Sequence, residues 1–156
     1  MIDEYPEIAL ERFDKANIWI RYVVFKVKKF IKGKILEPGA GCGSFTRAYM
    51  KYSNSIILSD LDENSLRLLK ENYKNEKKIQ IIKAITKNIQ EKFDTILYLN
   101  VLEHIKNDKL EIENALEKLN SGGHLIILVP AHQKIYGKLD KAVGHYRRYD
   151  IEFFKK

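Results

Sequence analysis

Residues Ile35-Leu36-Glu37-Pro38-Gly39-Ala40-Gly41-Cys42-Gly43 join an apolar run, an acid and three alternating glycines in one short stretch. Glycine takes positive φ without a Cβ penalty and lets backbone come close to a ligand. A helix-compatible stretch, Ser44 to Lys51, follows. The layout therefore reads as strand, turn and helix. The helix would aim its free N–H groups and positive dipole end at whatever occupies the turn. The pattern points to a nucleotide-like ligand; an ordinary tight turn is the alternative reading.

Dinucleotide sites use G-x-G-x-x-G, whose third glycine permits close helix–strand packing. Here Gly39 and Gly41 match the first two glycines. Ser44 stands in the third place, and the extra glycine comes one position early, at Gly43. The spacing is E-x-G-x-G-x-G. A second apolar run, Ser55 to Asp60, closes on a carboxylate about 20 residues past the first glycine, where an acid can accept hydrogen bonds from ribose hydroxyls. Asp62, two residues on, reads as the N-cap of an amphipathic run from Glu63 to Tyr73, with Leu66, Leu69 and Tyr73 on one face.

The 156 residues, 45% of them hydrophobic, suit one globular domain over 1–156. Within it the reading separates an N-terminal helical segment (1–33), a core (34–130), and a substrate-side loop with the start of a helix (131–156). No apolar stretch approaches the ~20 residues of a membrane span. The acidic N-terminus is unlike a secretory signal. The single cysteine, Cys42, has no internal partner for a disulfide and packs as a small side chain or acts as a nucleophile. A cytoplasmic location is the default. A net charge of +7 favours anionic partners in general and selects none.

Pro6 begins a helical pattern carried by Ala9, Phe13, Ala16, Ile20, Val23, Val27 and Phe30, ending near Gly33. Trp19 and Tyr22 belong to its packing face or cover a pocket. Strands are expected near 34–38, 55–60, 79–83, 93–99 and 124–130. Helices are expected near 44–52, 63–74 and 108–120, with a short turn at 86–91. Asp108 and Glu111 offer a capping box for the helix at 108–120. Asp150 reads as the cap of a helix beginning at Ile151. This alternation predicts a Rossmann-like α/β/α three-layer sandwich with parallel strands in the order 3-2-1-4-5. The ligand would lie beyond the carboxyl ends of strands 1 and 4, where the order reverses.

The motifs together resemble the class I S-adenosylmethionine-dependent methyltransferases, of the broad type 11/12-like group. Glu37 to Gly43 is similar to that family's first motif, and Phe93 to Ile105 to the stretch that holds the methionine end of the cofactor. Asn120 to Pro130 looks like its helix stop and fifth strand. Gly144-His145-Tyr146-Arg147-Arg148-Tyr149, after Val129-Pro130-Ala131-His132, recurs in one branch. The resemblance implies S-adenosylmethionine as cofactor. Glu37 would hold the methionine amino group. Gly39, Ala40, Gly41 and Gly43 would line the cofactor with backbone. Asp60 would take the ribose hydroxyls, and Leu61 would lie against adenine. Ile85 would offer its N–H to the ring, although Ala84 stands where the family carries an acid for the adenine amino group. Asn100 and Val101 would form the methionine pocket.

Glu103 and His104 would face the methyl acceptor, His104 as general base or as a structural residue. His145, Tyr146, Arg147 and Arg148 either capture an anionic or glycan-like substrate or pin a loop over the sheet. Metal-dependent RNA 3′-end methyltransferases carry E-x-x-E-H-H. Asn100 to Ile105 lacks the first Glu and second His, so no metal is assigned. The acceptor is expected to be a small molecule, lipid or glycan precursor. The alternatives are RNA, or a non-catalytic cofactor-binding fragment. The family's C-terminal antiparallel hairpin is missing. An open strand-5 edge is then expected to bring self-association or a partner chain, or to mark a truncated product.

Overall fold

Strand parity divides the apolar residues of this chain between two cores, one on each face of a sheet. Ile35, Ile56, Leu58, Leu97 and Leu99 face one side with Ile20, Val24, Tyr49, Leu69 and Tyr73. Leu36, Ile57, Ile96 and Tyr98 face the other with Leu102, Ala115 and Tyr149. Strands buried on both faces read as unbroken apolar runs, which parallel sheets covered by helices require. Each fully buried Leu or Ile contributes about 1.5–3 kcal/mol of transfer free energy.

The structure is a computed structural model that describes residues 17–155. Its elements are α1 (Asn17–Val27), β1 (Lys34–Pro38), α2 (Thr46–Tyr49), β2 (Ser55–Asp60), α3 (Glu63–Asn72), β3 (Ile79–Lys83), β4 (Phe93–Leu99), α4 (Asp108–Glu117), β5 (Leu119–Leu128) and α5 (Lys138–Ala142), joined in places by short 3₁₀ turns. The strand order is β3-β2-β1-β4-β5, and every pairing between these strands is parallel. Helices α1, α2 and α3 contribute to the first core and α4 to the second, giving three layers. The expected fold and strand order are what the chain adopts. Pro6, Ala9, Phe13 and Ala16, placed on the first helix by pattern, lie outside the described residues.

Several boundaries differ from the expected ones. The helix after the glycine loop is a single α turn, Thr46–Tyr49, continued by a 3₁₀ turn to Tyr52. Its dipole is correspondingly small. Helix α4 stops at Glu117, and β5 begins at Leu119, earlier than the Asn-Ser-Gly-Gly turn suggested. Leu119 pairs with Phe93 and His124 with Thr95, so the glycine pair occupies an irregularity inside the ladder.

The caps follow the partners available. Asp62 caps α3 as expected, its carboxylate accepting from Ser65 N at 2.7 Å. For α4 the cap is Asn107, not Asp108. Asp108 turns inward to accept from the Tyr149 hydroxyl at 2.8 Å and to pair with Arg147 at 2.7 Å. Glu111 accepts instead from Tyr98 Oη. Asp150 precedes a 3₁₀ turn, Ile151–Lys155; its carboxylate accepts from Gln133 N and its carbonyl from Phe153 N. Trp19 packs edge-on against Phe45 with ring centres 5.5 Å apart. Tyr22, however, is exposed rather than packed in the core. No described helix is long and apolar enough to cross a membrane.

Candidate active site

The order of the sheet reverses at β1, which pairs with β2 on one side and β4 on the other. The chain leaves all three strands in the same direction, so their carboxyl ends open a crevice there. Three loops line it: 39–45 after β1, 61–62 after β2 and 100–105 after β4.

The first loop is shaped by backbone. Gly39, Gly41 and Gly43 all have left-handed φ, at 62°, 57° and 80°. A Cβ at Gly39 would stand 2.8 Å from a Val101 methyl, so this position must be bare for the β1 and β4 loops to approach. A Cβ at Gly43 would collide with the Tyr73 ring at 2.4 Å. The Tyr73 hydroxyl donates to Gly43 O at 2.5 Å, and Asn72 Nδ2 donates to Cys42 O at 3.0 Å. Helix α3 thus holds the outer side of the loop. Ala40 is buried, and its N–H donates to Ser59 O. Cys42 Sγ lies 3.1 Å from Ser44 Oγ.

Asp60 closes β2 and joins the loops. One carboxylate oxygen accepts from Gly41 N at 2.9 Å. The other accepts from Leu61 N at 2.7 Å and Asp62 N at 3.0 Å. A carboxylate has about four acceptor sites, so one or more remain for a ligand. Leu61 and Ile85, following neighbouring strands β2 and β3, are 58% and 43% exposed. Two open apolar side chains at that edge suit a flat aromatic ring. Ala84 offers no carboxylate beside them.

Glu37 shares the parity of Ile35 and so points into the first core. It is buried and accepts from the hydroxyls of Thr46, at 2.6 Å, and Tyr49. Burial pushes its carboxyl up to about 7 against the pull of those two donors. Asn100 ends β4 with φ at 58°, a left-handed conformation that asparagine tolerates better than most residues. Its N–H donates to Leu128 O, and Val101 then walls Gly39.

The third loop and the distal segment meet on the far side. Glu103 is 1% exposed, and burial raises its carboxyl to about 7. His104 is exposed, yet partial desolvation and then the neighbouring His145 lower its pKa, keeping the imidazole neutral. The two histidine rings stand edge to face at 4.7 Å. Tyr146 N donates to Glu103 O at 2.7 Å, docking the distal segment on this turn. Tyr146 itself is exposed. Arg147 is paired with Asp108 and donates to Lys106 O; Arg148 Nε donates to Asp140 at 2.8 Å. Both guanidiniums therefore anchor the segment through buried aspartates.

Sequence reasoning missed the supports: Thr46 and Tyr49 under Glu37, Tyr73 under Gly43, and the buried acids Asp108 and Asp140. Only Tyr73 carried a signal, as a core-face position of α3. The others depend on partners far away in sequence.

A family model described as a methyltransferase domain matches residues 36–127. An uncharacterized protein of Methanocaldococcus jannaschii is 29% identical over 143 residues, which is 89% of this chain and 65% of that protein. The chain thus spans slightly under two thirds of that relative. A candidate methyltransferase of Bacillus halodurans superposes with a TM-score of 0.73 at 15% identity, covering 86% of this chain and 64% of the other. The N-methyltransferase NodS of Bradyrhizobium japonicum, solved with S-adenosyl-L-homocysteine, gives 0.64 at 19% identity, covering 78% and 63%.

The two buried glutamates set a pH dependence. Their carboxyls ionise more easily in the unfolded chain, near 4.5, than in the folded one, near 7. The stability they contribute is complete below about pH 4.5 and is lost as pH rises through 7, on the order of 1–3 kcal/mol for each. Urea unfolding of the ligand-free chain should show stability falling between pH 5 and 7. Glu37→Gln should flatten that slope. A slope equal in the variant and the parent contradicts this account of Glu37.

Proposed function

This chain belongs to the methyltransferase-domain family, and on that premise we propose that it moves a methyl group from S-adenosylmethionine to a small-molecule, lipid or glycan-precursor acceptor. The observation that carries the reading is the joint geometry of Asp60 and the glycine loop. A carboxylate with spare acceptor capacity lies at the sheet's switch point, hydrogen-bonded to Gly41 N.

The residues fit an adenosyl ligand better than a dinucleotide. Gly39, bare and left-handed against Val101, leaves backbone as the loop's inner surface. The single-turn helix behind it offers little dipole for a pyrophosphate. Asp60 would hold both ribose hydroxyls. Leu61 and Ile85 would flank the adenine, without a carboxylate for its amino group because residue 84 is alanine. Ala40, Gly41 and Gly43 keep the loop in shape for the ribose and methionine portions. Glu37 is ready to meet the methionine ammonium, and that charge would draw its carboxyl back toward ionisation. The Asn100 side chain and Val101 would close the methionine pocket.

S-adenosylmethionine supplies, when bound, a methyl group on a positively charged sulfur with a neutral leaving group. The chain's task is then alignment and exclusion of water. Glu103, His104, His145 and Tyr146 occupy the acceptor side. His104, kept neutral by desolvation and by His145, is the group able to take a proton from the acceptor. Arg147 and Arg148 would act on substrate through the segment they anchor.

The domain would extend over 1–156 in the cytoplasm. Among the described residues no strand pairs with the outer edge of β5, which supports self-association or a partner chain. Light scattering on the purified chain should report a species larger than the monomer; a monomer at high concentration contradicts that reading.

Calorimetry tests the cofactor. S-adenosylmethionine or S-adenosyl-L-homocysteine should bind one to one and NAD should not. Asp60→Ala should weaken binding by about 1–3 kcal/mol through lost charge-assisted hydrogen bonds. Binding of NAD alone, or an unchanged affinity in the variant, defeats the proposal.

A further inference from the structure

Glu103, His104 and His145 come from two segments 41 positions apart in sequence, yet each offers a ligand atom and all three atoms lie within 4.8 Å of one another. Proximity alone would mean little. Two further features distinguish the cluster from an accidental meeting of polar side chains.

The first is an unsatisfied oxygen. Glu103 is 1% exposed, and its Oε2 has no hydrogen-bond partner among the described residues. A buried carboxylate oxygen without a donor is costly, and a cation is the group that removes the cost. The second is the hold on His145. Its Nδ1 lies 3.1 Å from Asp140 Oδ1. Asp140 is buried and accepts from Arg148 Nε at 2.8 Å and Gly137 N at 2.9 Å. A carboxylate paired with Arg148 at that place favours the proton on Nδ1 and leaves Nε2 with its lone pair. A carboxylate behind a histidine, orienting its other nitrogen, is how metal-binding imidazoles are commonly supported.

The frame is built before any ion arrives. Tyr146 N donates to Glu103 O, His145 N donates to Asp140 O, and the Tyr136 hydroxyl donates to His145 O. Arg147 ties the same segment to Asp108 at the start of α4. His104 is exposed, so the cluster opens to solvent at that residue.

We propose that Glu103, His104 and His145 form a binding site for a divalent ion of the zinc class. Two imidazoles and one carboxylate suit zinc, cobalt, nickel or ferrous iron better than magnesium or calcium, which prefer oxygen donors. Three protein ligands leave a coordination position open. The site follows Asn100 and Val101, on the side expected to receive the methyl acceptor. An acceptor hydroxyl in the open position has a lowered pKa and gives its proton to solvent water, leaving the oxygen to take the methyl group. That ionisation replaces proton abstraction by His104, whose lone pair the ion occupies. This last role rests on the methyl-transfer reading; the ion site itself does not.

The test uses the whole chain, stripped with chelator and dialysed. Calorimetry with Zn²⁺ and visible spectroscopy with Co²⁺ should show one ion per chain, with Co²⁺ d–d absorption of low coordination number. His145→Ala and Glu103→Gln should each weaken binding by about 100-fold or more and abolish that absorption. Glu103→Gln keeps the side-chain shape and decides the matter if His145→Ala melts without a cooperative transition. Absence of binding to the parent chain overturns the proposal. So does binding that Glu103→Gln leaves intact, which would place the ion on other histidines such as His124 and His132. Cofactor affinity is measured separately, so loss of the ion site and loss of the methyl-transfer reading are distinguishable.

Discussion

The Asp60 carboxylate is the joint on which the crevice turns. It accepts backbone N–H groups from Gly41, Leu61 and Asp62, and so fastens the glycine loop to the end of β2. Charge-assisted bonds of this kind are about twice as strong as neutral ones. On the other side, Val101 leaves no room for a Cβ at Gly39. The loop is thereby set between a polar clamp and an apolar wall. Its shape follows from those two contacts more than from the short helix behind it. Glu37 stiffens the base, with Thr46 and Tyr49 gathering on one of its oxygens.

A second pair of carboxylates performs the equivalent service for the turn at 101–105 and the segment docked on it. Asp108 and Asp140 are both buried, and each takes one of the adjacent arginines. Tyr149 adds its hydroxyl to Asp108 and to Leu102 O, and an isolated parallel bridge joins it to Ala131. Removing one partner of such a buried pair leaves an uncompensated charge, which is why the segment from 136 to 149 stays seated on the turn at 101–105. The same seating gives Glu103 a histidine neighbour that no local reading supplies.

What could be read from the sequence follows from locality. Strands β1, β2 and β4 were visible because residues buried on both faces must be apolar in continuous runs. The glycine spacing and the carboxylate at position 60 were visible because they are short-range signatures. The start of β5 was obscured because Asn120 to Gly123 has the composition of a turn yet sits within the ladder opposite β4. Asp108 was read as a cap because the helix pattern around it is local, whereas its partners Arg147 and Tyr149 lie some 40 positions later. The arginine pair was legible as a cationic cluster, but not as two anchors, since the sequence does not display which acids are buried. The three residues proposed to hold an ion are not legible in one continuous motif, because His145 arrives from another segment.

The central claim is that the crevice between the β1 and β4 loops receives an adenosyl ligand through Asp60. A crystal grown with S-adenosyl-L-homocysteine tests it most directly. The account predicts ribose hydroxyls on the Asp60 carboxylate and the adenine between Leu61 and Ile85. A crevice left vacant at saturating ligand, or the nucleoside seated elsewhere on the chain, would contradict it.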